Sequence, residues 1–99
     1  MDYSDIKNVS VFEEHIGSEF LIEFDSAKTV AAQLIEAKAL NGGGTLADAA
    51  AREPFSLLFS VEGGIDLPQR IYRVSHSVLG DIELFMVPLG NGQLESVFN

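Results

Sequence analysis

Alternation of apolar and polar residues is the strongest signal in this chain. Phe20, Ile22 and Phe24 recur every second residue with Glu19 and Glu23 between them, which predicts a half-buried strand over 19–24. The same period places Phe55, Leu57, Phe59 and Val61 on one face of a strand, with Ser56, Leu58 and Ser60 on the other. Ile71–His76 reads as a further strand. Ile82–Val87 is apolar on both faces apart from Glu83, and Pro88, which has no amide hydrogen to give a ladder, is expected to close it. Gly90-Asn91-Gly92 is a hairpin turn signal, because Gly and Asn tolerate the positive φ that tight turns need, and Gln93–Phe98 forms the last strand.

Three segments break this rhythm. Ser10-Val11-Phe12-Glu13 has the form of a capping box, so one or two helical turns are expected over 11–16, with Phe12 and Ile16 sharing a buried face and Gly17 as the stop. Residues 28–40 are ambiguous. Their alanines favour a helix, whereas a strand would put Val30, Ala32 and Leu34 on one face. Residues 41–53, from Asn41-Gly-Gly-Gly44 through an alanine-rich stretch, read as a flexible loop. The sum is one mainly β domain over 1–99: a small antiparallel meander closing into a barrel or sandwich of about six strands, with a short N-terminal helix.

Composition narrows the function classes. The chain has no cysteine, which removes disulfides, thiolate nucleophiles and cysteine-ligated zinc. Its 99 residues carry a net charge of −9, with both halves acidic, so no basic face is present for nucleic acid or anionic lipid. The opening Met1-Asp2-Tyr3-Ser4-Asp5 is acidic where a secretory signal would be basic, and no apolar run reaches the roughly 18–20 residues of a membrane span. A cytoplasmic location is expected.

Candidate chemistry is sparse. No serine lies in a nucleophile elbow, and Ser75 and His76, as strand neighbours, point to opposite faces. His15 and His76 have no metal-ligand spacing, and His76 is expected to bond a backbone carbonyl near the Leu79-Gly80 turn. Asn41–Thr45 lacks the lysine of a phosphate loop. No catalytic residue, metal site or cofactor is expected. The candidate interface is Arg70, Tyr72, Arg73 and His76, since Tyr and Arg are enriched at binding hot spots; the plainer role for the arginines is an ion pair with Glu83 on the next strand. Phe55, Phe59, Tyr72 and Phe85 are core candidates, or else the lining of a small-molecule pocket in a binding barrel or minor enzyme.

Pro54-Phe-Ser-Leu-Leu-Phe59, Tyr72-Arg-Val-Ser-His76, Leu79-Gly80, Leu84-Phe-Met-Val-Pro88 and Glu95-Ser-Val-Phe-Asn99 together resemble a family of small bacterial proteins catalogued as a domain of unknown function. The Phe12…Gly17…Phe20 pattern extends the likeness toward the N-terminus, and the Gly/Ala-rich stretch at 41–53 departs from it. The resemblance implies a small β-rich fold and tips 28–40 from helix to strand. It brings no catalytic residue with it. It also implies a setting, since members are often encoded beside proteins carrying phage-tail-collar or tail-fibre domains, and hence a non-catalytic binding or assembly module with such a protein partner, or with copies of itself.

Overall fold

The computed structural model describes residues 9–26, 28–39 and 54–98. Six strands follow one short helix: α1 (Val9–Glu13), β1 (Glu19–Asp25), β2 (Lys28–Ala39), β3 (Phe55–Val61), β4 (Arg70–His76), β5 (Gly80–Gly90) and β6 (Gln93–Phe98). Two antiparallel three-stranded meanders, β1-β2-β3 and β4-β5-β6, join edge to edge in the order β1-β2-β3-β6-β5-β4, and β4 returns to β1. The result is the closed barrel, rather than the sandwich, of the two expected architectures. Closure pairs the edge strands with each other, so neither meander presents an open edge at the seams.

Alternation decides which side chains fill the interior. Phe20 and Ile22, Leu34, Phe55, Leu57 and Phe59, Tyr72 and Val74, Leu84 and Met86, and Leu94 are all buried and belong to one cluster. Each fully buried side chain of this size contributes about 1.5–3 kcal/mol relative to exposure, and that sum opposes the ordering entropy of the chain. Residues 28–39 form a strand despite their alanines, because burial of Ala32 and Leu34 between β1 and β3 outweighs local helix propensity. A bulge between Leu34 and Glu36 then shifts the parity, so that Ala37 also packs on the core.

Three sequence expectations need correction. α1 begins at Val9 and ends at Glu13, so Ser10 lies inside the helix rather than capping it, and Ile16 is 48% exposed instead of sharing Phe12's buried face. Four turn residues carry the chain from Glu13 to Gly17, whose φ of +95° reverses it toward β1. Pro88 does not end its strand. It lies past the last β4 pair, Arg70–Met86, and beside a register shift between Pro88 and Gly90, where a missing amide hydrogen is tolerated. The loop expected over 41–53 falls outside the described residues.

The strand ends near α1 are the start of β1, the end of β2, the start of β3, the end of β6, the start of β5 and the end of β4. Phe12 covers this end, with its ring 5.8 Å from those of both Phe55 and Phe98, which stack on each other at 4.4 Å. At the opposite end, Asn91 and Gly92 form a two-residue hairpin turn with both φ positive, +57° and +75°, as the sequence signal requires. Gly92 donates its amide to Asp66 Oδ1 at 2.8 Å, pinning the hairpin to the β3–β4 crossover.

Gly92 also lies hard against that crossover: a Cβ there would stand 2.6 Å from the Cα of Gly64. Gly92→Ala is therefore expected to destabilise the fold by about 1–3 kcal/mol, combining left-handed strain with backbone overlap. Urea denaturation checks this. An unchanged midpoint would show that the two turns are not in contact.

Candidate functional site

The four residues of the sequence-derived interface separate into two pairs. Arg70 and Arg73 are exposed; Tyr72 and His76 point into the barrel and are 1% and 7% exposed. Arg70 stands at the rim, donates from Nη2 to the Phe24 carbonyl, and places its guanidinium 5.0 Å from the Tyr72 ring centre. Tyr72 donates its hydroxyl proton to the Pro68 carbonyl. Burial pushes the Tyr72 phenol above its ordinary 10.0, against the smaller, opposing pull of the Arg70 charge. Arg73 faces Glu23 on one side and Glu83 on the other. The ion pair forms with Glu23, Nε to Oε1 at 3.9 Å, and not with Glu83 as expected; exposed on both sides, it contributes little.

The outer wall of β4, β5 and β6 carries a feature that the interface residues only border. Ile71 and Phe85 lie directly opposite each other across β4 and β5, and are 63% and 48% exposed. Val97, two residues past Glu95, the partner of Val87, continues the row on β6 and is also exposed. Three large apolar side chains on adjacent strands thus face solvent, flanked by Glu83 and Glu95. The apolar character of both faces of Ile82–Val87 was the sequence signal for this row. Phe85 therefore does not meet Phe55, Phe59 and Tyr72, which are core.

At the α1 end the barrel brings together three polar residues that the sequence separates. Ser18 Oγ lies 3.0 Å from His76 Nε2 and donates to the His15 carbonyl at 2.7 Å. His76 Nδ1 accepts the backbone amides of Val78 and Leu79 at 3.0 and 3.1 Å, correcting the expectation of a carbonyl partner. The rings of His15 and His76 are 4.6 Å apart, and Phe20 packs on His76 at 4.4 Å. Burial, with the neighbouring His15 adding to it, holds His76 below its ordinary 6.5.

This cluster does not make a nucleophile. With Nδ1 accepting two amides, the neutral ring carries its proton on Nε2, so it donates to Ser18 Oγ and offers no base to the hydroxyl. Among the described residues no three His, Asp or Glu side chains gather as a metal site, and every buried side-chain polar atom has a hydrogen-bond partner. An open groove of about 520 Å³ is lined by Glu19, Gln33, Glu62 and Asn91 among others. No helix among the described residues is long and apolar enough to cross a membrane.

Fold and sites define a small closed β-barrel filled by its own side chains, with an exposed apolar row on its outer wall. The chain belongs to the family described as a domain of unknown function (DUF6916), whose family model matches residues 8–98. No curated protein and no solved structure matches it.

Tyr72→Phe tests the buried hydroxyl. At neutral pH it is expected to cost about 1 kcal/mol, because the Pro68 carbonyl loses its donor. The raised phenol means that the contribution of Tyr72 to stability is fully present below pH 10.0 and is lost as pH rises past that value, where unfolding releases a proton. The variant is expected to lack this alkaline loss, as read by urea denaturation on either side of that pH.

Proposed function

We propose that this protein is a non-catalytic protein-binding module that docks a partner on the outer wall of β4–β6. The observation that carries the reading is the exposed Ile71–Phe85–Val97 row on a barrel whose interior aromatics are packed against one another. Apolar rows of this kind are what protein interfaces bury at their centre, with charged residues at the rim. Arg70 and Arg73 stand beside the row and can orient a partner, as the sequence suggested. A second copy of the chain brings another −9 to the contact, so the chemistry that fits better is an apolar surface bordered by Lys or Arg, facing Glu83 and Glu95. The tail-fibre or collar-type protein implied by the resemblance is the first candidate to test.

The test is affinity capture from the native lysate, with the tagged protein compared with an Ile71→Asp, Phe85→Asp double variant. Both side chains are exposed, so the variant is expected to keep its thermal midpoint within a few degrees. The native protein is expected to recover a partner, and the variant to bind that partner at least about tenfold more weakly, in line with the loss of one central anchor. Equal recovery by both proteins, or no specific partner with either, would overturn this reading.

A further inference from the structure

Asn91-Gly92, the turn of the β5–β6 hairpin, is a chemically labile pair as well as a turn signal. An asparagine followed by glycine can lose its side-chain amide in water, because no Cβ shields the next backbone nitrogen. The Gly92 nitrogen would attack Asn91 Cγ and give up its proton. A bond forms between the two atoms, the Cγ–Nδ2 bond breaks, and ammonia leaves. Water then opens the cyclic imide at one of its two carbonyls. One opening leaves aspartate at 91; the other leaves isoaspartate, whose backbone runs through the side-chain carbon and is longer by a methylene.

The fold opposes the first of these steps at the nucleophile. Gly92 donates its amide proton to Asp66 Oδ1 at 2.8 Å, so the nitrogen is aimed at the β3–β4 crossover, and turning it toward Asn91 Cγ breaks that bond. The Gly92 carbonyl accepts the Val61 amide at 2.7 Å, which holds the other side of the residue. Gly92 is also buried, with so little space that an added Cβ would stand 2.6 Å from the Cα of Gly64. Asn91 is exposed, so water reaches its side chain. The two reacting groups are thus treated differently: the side-chain amide is accessible, and the nitrogen that must attack it is tied to Asp66.

We propose that Asn91 is a latent deamidation site, kept silent in the native barrel by the bond from Gly92 to Asp66 and unmasked when the hairpin leaves the crossover. The inference stands apart from the docking face and does not depend on it. The aspartyl product keeps the native backbone and can dock again. The isoaspartyl product cannot, because its longer backbone no longer seats Gly92 against Gly64 and Asp66. Opening of the hairpin is therefore recorded covalently.

Peptide mapping by mass spectrometry, with aspartate and isoaspartate resolved at position 91, tests this on the whole chain during incubation at mildly alkaline pH. Conversion in the folded protein is expected to be at least about tenfold slower than in the same chain unfolded in urea, the factor that a hydrogen bond to a charged acceptor sustains. Asp66→Ala removes the acceptor and is expected to raise the folded-state rate by a similar factor. Tyr72→Phe, which weakens the fold elsewhere, is expected to leave that rate unchanged. The purified isoaspartyl form is expected to unfold at lower urea than Asn91→Asp. The proposal is overturned by equal rates in the folded and unfolded native chain, by a folded Asp66→Ala that converts no faster than the native protein, by equal acceleration in Tyr72→Phe, or by equal urea midpoints for the two products. Should Asp66→Ala not fold, urea below the unfolding transition decides. Conversion at 91 that rises in step with hydrogen exchange at the Gly92 amide supports the proposal, and conversion that stays flat until global unfolding overturns it.

Discussion

The pairing of β1 with β4 involves only three residue pairs, Leu21–Ser75, Ile22–Val74 and Glu23–Arg73, and it turns two meanders into a barrel. Without it, β1 and β4 would be the two edges of an open six-stranded sheet, and the inward faces of all six strands would lack a common interior. With it, Phe20, Ile22, Tyr72 and Val74 face the same core as Phe59 and Leu94. The seam is reinforced at the rim by Arg70, which reaches the Phe24 carbonyl, and on the outer wall by the Arg73–Glu23 pair. Neither polar contact is strong by itself. Burial of the apolar side chains drives closure, and the polar contacts fix the register in which it occurs.

Closure also accounts for the polar cluster at the α1 end. Ser18 and His76 are 58 residues apart in sequence and meet because β1 starts where β4 ends. A buried histidine is tolerable there only as a neutral ring with both nitrogens bonded, and Ser18 with the Val78–Leu79 turn supplies those bonds. The same requirement makes the site unsuited to catalysis: a ring committed to two donors at Nδ1 and one acceptor at Nε2 has no free lone pair for a substrate. On the outer wall, the period of two places Phe85 and Val97 in solvent as strictly as it places Leu84 and Met86 inside.

Much of the fold was legible because strands announce themselves locally. The alternations in β1 and β3, the Gly90–Gly92 signal and the strand in 71–76 all depend on a few consecutive residues, and the structure has them where the pattern put them. Residues 28–39 were not decided by pattern, since the alanines carry helix propensity and the strand is imposed by neighbours on both sides. Ser10 shows the limit of a capping motif: the helix starts before it. Pro88 misled for a similar reason, because whether a proline ends a strand depends on what lies opposite, and here β4 has already ended. The site was less legible than the fold. Ile71 and Phe85 could be assigned to strands, but their exposure depends on which face closure turns inward. The meeting of His15, Ser18 and His76 has no local signal at all.

The measurement closest to the centre of this account is native-state hydrogen exchange at the β1–β4 seam. The amides of residues 21–23 and 73–75 that point into the seam are expected to exchange only with global unfolding, at the same free energy as those of the β3–β6 ladder. Seam amides that exchange freely while the other ladders stay protected would mean that the sheet is open. The core, the histidine contacts and the outer wall described above would then not be features of the native molecule.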